Sequence, residues 1–255
     1  MICLSFDTDH MNEARMEEFL DEVRWPGGGT FFCTQPYACL NRDEFELAPH
    51  PFLTGDRDWR AELKTKRAEF PKAVGWRAHS CVFSHTLAEW LSCNGYVYVS
   101  THDNFGQQGI RPNRHLWGIW HAPIYYMDNM DFSRDRFSPE SEEKPFDPSL
   151  IKTACEADGF YVFDFHPIHL VLNSPNPEWY AERRRAFLAG EPTKSLRYPG
   201  YGARSFFDDL VAAMRANSRE SLPIIKGLHA FVGAELTPRD PSSSSYQLDE
   251  SRLGL

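Results

Sequence analysis

The sequence predicts an α/β fold built on a parallel sheet or barrel, and three observations carry that reading. Short apolar runs alternate along the chain with segments of helical periodicity. Several runs, Ile2-Cys3-Leu4-Ser5-Phe6 among them, read as buried strands. Polar clusters fall just past the predicted strands: Asp7 and Asp9, then His50, then Arg77 and His79, then His166 and His169. In a parallel α/β barrel those strand ends converge on one face, where sites are built.

In order along the chain, the first strand leads to a helix capped by Asn12, with Met16, Phe19, Leu20 and Val23 at helical spacing. Pro26 and three glycines end it. Residues 30–34 form a second strand, and residues 46–51 a short one broken by Pro49 and Pro51. A helix carrying Trp59 and Leu63 stops at Pro71, and residues 73–76 give the next strand. Ser84 opens a helix that buries Leu87, Trp90 and Leu91 and stops by Gly95. Residues 96–100 read as a strand, and 116–126 as a second apolar stretch punctuated by His121 and Pro123. Residues 131–147 are polar and read as an excursion or lid. Residues 160–165 are the clearest late strand, and helices follow over 177–188 and 203–216, the latter with Phe207, Leu210, Val211 and Met214 inward.

At 255 residues, 42% hydrophobic and 14% aromatic, the chain can build a substantial core. No linker divides it before residue 236, so one domain over 1–236 with a tail over 237–255 is the simplest organisation. The net charge of −9 and the lack of a dense basic block argue against a nucleic-acid partner, and Arg183-Arg184-Arg185 reads as a solvated helix face. Six cysteines form no C-x-x-C pair or zinc-ribbon spacing, which suits a reducing compartment. No apolar run reaches the length of a membrane span or signal peptide, so no membrane insertion and a cytoplasmic location are expected.

Ser5-Phe6-Asp7-Thr8-Asp9-His10 is the densest chemical signal. Strand alternation lets Asp7 and Asp9 face a common site, where two close carboxylates call for a cation or shared protons. A metal-dependent hydrolase fits that arrangement. A polar turn whose aspartates cap the following helix fits it equally.

Taken together, five segments resemble the polysaccharide deacetylase family, the NodB-like carbohydrate esterases, and a branch linked to surface-polysaccharide biosynthesis in particular. They are Ser5-Phe6-Asp7-Thr8-Asp9, Gly29-Thr30-Phe31-Phe32, Glu46-Leu47-Ala48-Pro49-His50-Pro51, Trp76-Arg77-Ala78-His79-Ser80 and Phe163-Asp164-Phe165-His166-Pro167. The resemblance implies a distorted (β/α) barrel of about seven strands, with a divalent metal, most often zinc, at the strand C-termini. It implies Asp7 as base, Asp9 and His50 as metal ligands, Arg77 as the residue orienting the base, and His166 as acid. The second motif departs from the family pattern, because Thr54 stands where a second histidine is usual. His79 is the first candidate for the missing ligand and His10 another.

The chemistry so implied is hydrolysis of the N-acyl group of an amino sugar, in a saccharide or surface-polysaccharide precursor. Asp164, two positions before His166 on the same strand, is expected to orient that imidazole. A backbone N–H near Pro51 or Phe52 is expected to assist the oxyanion. His169 reads as structural, and His85, His102, His115 and His229 as surface or core residues. His121 is an outside candidate for the pocket. Trp59, Trp117, Trp120, Tyr125 and Tyr126 suit either sugar stacking or the core. Two rival readings remain open at this level: a catalytically degenerate barrel that binds saccharide, and a hydrolase of another non-peptide C–N bond.

Overall fold

The computed structural model describes residues 1–53, 58–134 and 144–238. In chain order its strands are β1 (Ile2–Asp7), β2 (Gly29–Cys33), β3 (Phe45–Pro49), β4 (Gly75–Trp76), β5 (Tyr98–Val99), β6 (Asn113–Arg114), β7 (Trp120–His121), β8 (Ile124–Met127) and β9 (Tyr161–Phe165). The α-helices are α1 (Glu13–Glu22), α2 (Trp59–Glu69), α3 (His85–Cys93), α4 (Asp128–Asp131), α5 (Pro148–Glu156), α6 (Pro167–Leu172), α7 (Pro177–Leu188), α8 (Thr193–Leu196), α9 (Ala203–Ala216) and α10 (Ile224–Val232). The N-cap expected at Asn12 is present and accepts from the Arg15 N–H, and Ser84, where a helix was expected to open, caps α3 by accepting from the Leu87 N–H.

The strands fall into two sheets. One has five strands in the order β3-β2-β1-β9-β8, with every neighbour parallel. The other has four in the order β4-β5-β7-β6, with only β6 antiparallel. The parallel α/β architecture is as expected, but the single ring of about seven strands is not: the five-stranded sheet is not closed. Prolines sit where the ladders break. Pro49 and Pro51 have no N–H to give a neighbour. The link from that edge to the second sheet rests on the Arg77 N–H to the Pro49 carbonyl at 3.4 Å and the His79 N–H to the Pro51 carbonyl at 2.9 Å. Pro123 divides the apolar stretch expected as one unit, so β7 joins one sheet and β8 the other.

Alternation along β1 sorts its side chains between two environments. Leu4 and Phe6 enter the larger apolar cluster with α1 and α9, where Phe6 stacks on Phe31 at 4.9 Å and meets Phe19 edge-on at 5.5 Å. Cys3 points the other way, into a smaller cluster with Val162 and Phe32. Ser5 and Asp7 share that second face. All six β1 residues are buried, as expected for a parallel strand covered on both sides. Each fully buried aromatic contributes roughly 1.5–3 kcal/mol, which is how a strand ending in two carboxylates can still be held inside.

Helix α10, absent from the sequence expectations, closes the end of the sheet opposite the aspartates. Thr30 Oγ1 accepts from the Ile224 N–H at 2.8 Å, and Ser221 Oγ accepts from the Leu4 N–H at 2.8 Å. Gly227 lets the helix approach so closely that a Cβ there would meet Cys3 Sγ at 2.7 Å. Tyr125 and Tyr126 are fully buried, so of their two readings the core is the one that holds. No helix among the described residues is long and apolar enough to cross a membrane.

Candidate active site

The aspartate doublet sits where β1 runs out. The Asp7 side chain continues the Ser5 face, and the turn over Thr8 to Met11 is tied to β2 by the Thr34 N–H, which donates to Thr8 Oγ1 at 3.0 Å. Asp7 and Asp9 are each only 3% exposed, and His10 just after them has a left-handed backbone, with φ 62°. A non-glycine residue in that region marks a turn held by its surroundings.

Arg77 leaves β4 and is fully buried. Its Nη1 donates to Asp7 Oδ1 at 2.9 Å and to Ser5 Oγ at 3.1 Å, and also bonds Asp164 Oδ1. Nε and Nη2 both donate to Ser100, to the carbonyl and to Oγ, at 2.7 Å each. The guanidinium lies 4.1 Å from the Phe32 ring centroid. Arg77, itself held by Ser5, Ser100 and Asp164, therefore fixes Asp7 Oδ1. Asp164, expected to orient His166, instead accepts from Ser5 Oγ at 2.7 Å and from Arg77. Burial pushes the Asp164 carboxyl up to about 8, Arg77 pulling against it and the Asp7 charge adding to it.

His50, one residue past β3, is 1% exposed. Its Nδ1 lies 3.0 Å from the Arg77 carbonyl oxygen, which can only accept, so Nδ1 carries the proton. The unprotonated Nε2 then faces Asp9 Oδ2 at 3.5 Å and Asp7 Oδ2 at 3.7 Å. His79 Nδ1 lies 2.9 Å from the same Asp9 Oδ2, and its ring packs on Phe52 at 4.4 Å. Ligand atoms of Asp9, His50 and His79 all lie within 4.8 Å of one another. His10 is not part of that group. Burial opposes charge on Asp9, but the imidazoles of His50 and His79 outweigh it and hold the carboxyl well below the usual range. Thr54 lies outside the described residues.

The late histidine is held by a residue that the sequence reading did not single out. His166 caps α6, and Asp128 stands at the first position of α4, directly after β8. Asp128 Oδ1 lies 2.7 Å from His166 Nδ1, and Oδ2 accepts from the His166 backbone N–H at 2.9 Å. His169, one turn along α6, approaches the same carboxylate with Nδ1 at 3.2 Å. The turn needed to bring His166 and His169 into one site is thus provided by α6, with ring centroids 4.9 Å apart. Burial pulls the His166 imidazole down, but the charges of Asp128, then Asp7 and Asp164, outweigh it and raise it to about 10. His166 Nε2 lies 3.8 Å from Asp9 Oδ2.

A cavity of about 360 Å³ opens on this cluster, with Asp9, His79, His166 and His169 on one side and Tyr180 and Arg184 of α7 on the other. His121 does not line it. That ring packs against His102 at 4.2 Å and Phe83 at 5.1 Å. Trp117 and Trp120 line a separate cavity with Tyr96 and Arg114.

With this geometry in hand, the comparisons with known proteins decide the family. A family model described as WbmS-like polysaccharide deacetylase matches residues 4–184. The chain belongs to that family. A solved structure from Bordetella bronchiseptica, described as a polysaccharide deacetylase involved in O-antigen biosynthesis, is 21% identical. It matches over 83% of this chain and 89% of its own, with a TM-score of 0.69. A second, described as a polysaccharide deacetylase from Mycobacterium smegmatis, is 18% identical over 97% of this chain and 94% of its own, with a TM-score of 0.53. At these identities the likeness is one of fold. No curated protein matches the chain.

The donor set gathered here can be tested against a divalent cation. Asp9 Oδ1 and His50 Nε2 are buried and have no hydrogen-bond partner. Orphaned acceptors of this kind are rare in an interior, because each carries a desolvation cost. Asp7, Asp9, Asp128 and Asp164 are all buried, while among the described residues Arg77 is the one guanidinium placed among them. A carboxylate and two imidazoles, one with its second nitrogen fixed on a backbone carbonyl, form a donor set suited to zinc. The residues fit the group.

Proposed function

We propose that the chain hydrolyses the N-acyl group of an amino sugar in a saccharide or surface-polysaccharide precursor, with a divalent cation, zinc by its donor set, held by Asp9, His50 and His79. The observation that carries this reading is the pair of orphaned atoms, Asp9 Oδ1 and His50 Nε2, set between the carboxylate of Asp7 and the imidazole of His166. Family membership supplies the reaction class. When bound, the cation supplies Lewis-acid polarisation of the acyl carbonyl and of the attacking water.

The remaining work falls to side chains. Asp7 Oδ1 is pinned by Arg77, which leaves Oδ2, on the side of His50, to accept the proton of the attacking water. Asp128 holds His166 by Nδ1, so the proton available for transfer sits on Nε2, toward the cavity. His166 Nε2–H then protonates the departing nitrogen as the C–N bond breaks. Asp164 and Ser100 act through Arg77, fixing the arginine that fixes the base. A precursor acted on in the cytoplasm, before export, is the substrate setting we favour.

The experiment is direct. The purified protein is assayed for divalent-metal content and for acetate release from a panel of N-acetylated amino sugars, with cyclic ureides and imides as the competing C–N substrates. Metal-dependent acetate release from the sugars supports the reading. Hydrolysis confined to ureides or imides overturns it, as does sugar binding without turnover in the zinc-loaded protein.

A further inference from the structure

Arg184 is a cavity-lining residue whose position the proposed chemistry leaves unused. It projects from α7 across from Asp9 and His166, and its guanidinium lies 5.9 Å from the Tyr180 ring centroid. Its helical neighbours three and four positions away are Tyr180, Ala181, Phe187 and Leu188, none of them acidic. Arg184 is exposed, and among the described residues no carboxylate lies within ion-pair distance of it. His10 lines the same cavity from a different element, placed there by its left-handed backbone.

The cavity volume of about 360 Å³ is at the small end for ligand sites, which run roughly 300–1,000 Å³. Asp9 lines it, and the Asp128 carboxylate is bonded to His166 on the same wall. An anionic substrate entering that space needs a cation placed away from the aspartates, and Arg184 meets that requirement, with two or more N–H donors in the fork that suits carboxylate and phosphate.

We propose that Arg184 and His10 form an anion-binding subsite that reads a carboxylate or phosphate on the acylated sugar. This deepens the deacetylase reading and rests on it for the identity of the sugar portion only. Arg184 sets specificity here; it takes no part in bond cleavage.

The test uses three probes with the intact, zinc-loaded protein: N-acetylglucosamine as the neutral probe, N-acetylglucosamine 1-phosphate as the phosphate, and an N-acetylated hexosaminuronic acid as the carboxylate. Acetate release gives kcat/KM, and calorimetry gives Kd. The wild-type protein is expected to prefer one anionic probe over the neutral one, and which probe wins tells phosphate from carboxylate. Arg184→Gln is expected to reduce that preference by about 10- to 100-fold, the usual cost of removing a hydrogen bond to a charged group. Arg183→Gln, on the neighbouring position and outside the cavity, is the control and should keep the wild-type preference. An anion preference equal in wild type and Arg184→Gln overturns the subsite, as does acetate release with no anion preference at all; the latter leaves the deacetylase reading standing. Binding of an anionic probe that weakens in Arg184→Gln, with no acetate released from any probe, supports the subsite and overturns the reaction.

Discussion

The Nδ1–H of His50 donates to the backbone carbonyl of Arg77 at 3.0 Å, and that one bond decides what the rest of the imidazole can do. It fixes the tautomer and leaves Nε2 as a bare, buried acceptor 3.5 Å from Asp9 Oδ2. A ring locked in this way is prepared for a cation rather than for a proton. The wild-type protein, stripped with chelator and titrated with zinc, should bind one equivalent. His50→Ala should lose that equivalent altogether. His79→Ala should retain weakened binding, since the His79 side chain is 34% exposed and water can replace it. Undiminished stoichiometric binding by His50→Ala would remove His50 from the ligand set.

Asp7 is proposed as base and Asp9 as ligand, and a pair of amide substitutions separates the two roles. Asp7→Asn keeps the shape and the Arg77 contact but cannot take a proton. It should bind zinc as well as wild type and lose turnover by about 10²- to 10⁴-fold, the range for general-base loss. Asp9→Asn should lose both. Zinc titration beside acetate release reads the two effects independently, and equal metal loss in both variants would show that the carboxylates are not divided in this way.

The buried ion cluster should be costly to break and cheaper to remove. Arg77 is fully buried between Asp7 and Asp164. Arg77→Met strands two carboxylates in a dry interior and should lower unfolding free energy by about 3–5 kcal/mol. Read above pH 8, where the Asp164 carboxyl is ionised in the wild type, adding Asp164→Asn removes one stranded charge, and the amide can still accept from Ser5. The double variant should therefore be more stable than Arg77→Met alone, by urea denaturation. Additive losses would show that Arg77 and Asp164 are not energetically coupled.

The aspartate doublet, Arg77, His50, His79 and His166 were legible because each follows an apolar run, and the ends of parallel strands meet. Asp128 follows the same rule, directly after Ile124–Met127, yet it was hidden. The apolar stretch before it contains Pro123 and reads as one unit, so its strand end could not be located, and no histidine or arginine stands beside it to mark a site. The role expected of Asp164 failed for a related reason. Strand alternation correctly put it on the face of Ser5, but which neighbour a buried carboxylate bonds depends on what arrives from distant segments, here Arg77. Helix α10 was not expected: Ile224–Val232 starts after Pro223 with no side-chain cap, and only Lys226 and His229 interrupt its apolar run. The distorted barrel of about seven strands is not confirmed: the ladders break at prolines that were visible in the sequence, but whose effect on a ladder depends on which strand lies alongside.

Asp128 and His166 give the most exposed prediction, because the sign of its pH dependence is fixed on both sides. In the metal-free protein the charges of Asp128, Asp7 and Asp164 overcome burial and raise His166 from 6.5 to about 10. A raised histidine contributes stability that is complete below its unfolded value of 6.5 and is lost as pH rises through about 10. Asp128 shifts the other way: burial opposes its charge, but His169 and His166 outweigh it and push the carboxyl below 3.8. Its contribution is complete above that unfolded value and is lost as pH falls through the lower folded one. The stability gap between wild type and Asp128→Asn should therefore be widest from about pH 4 to pH 6.5, shrinking on both sides, when urea midpoints are measured across pH without metal. The His166 ring, followed by NMR, should titrate near 10 in the wild type and markedly lower in Asp128→Asn. In the zinc-loaded protein the same variant should lose about 10- to 100-fold in kcat, the usual cost of losing an orienting partner, and the alkaline limb of its pH profile should move down, because the acid must be protonated to act. An alkaline limb that stays where the wild type has it would mean that the proton delivered to the leaving nitrogen does not come from His166.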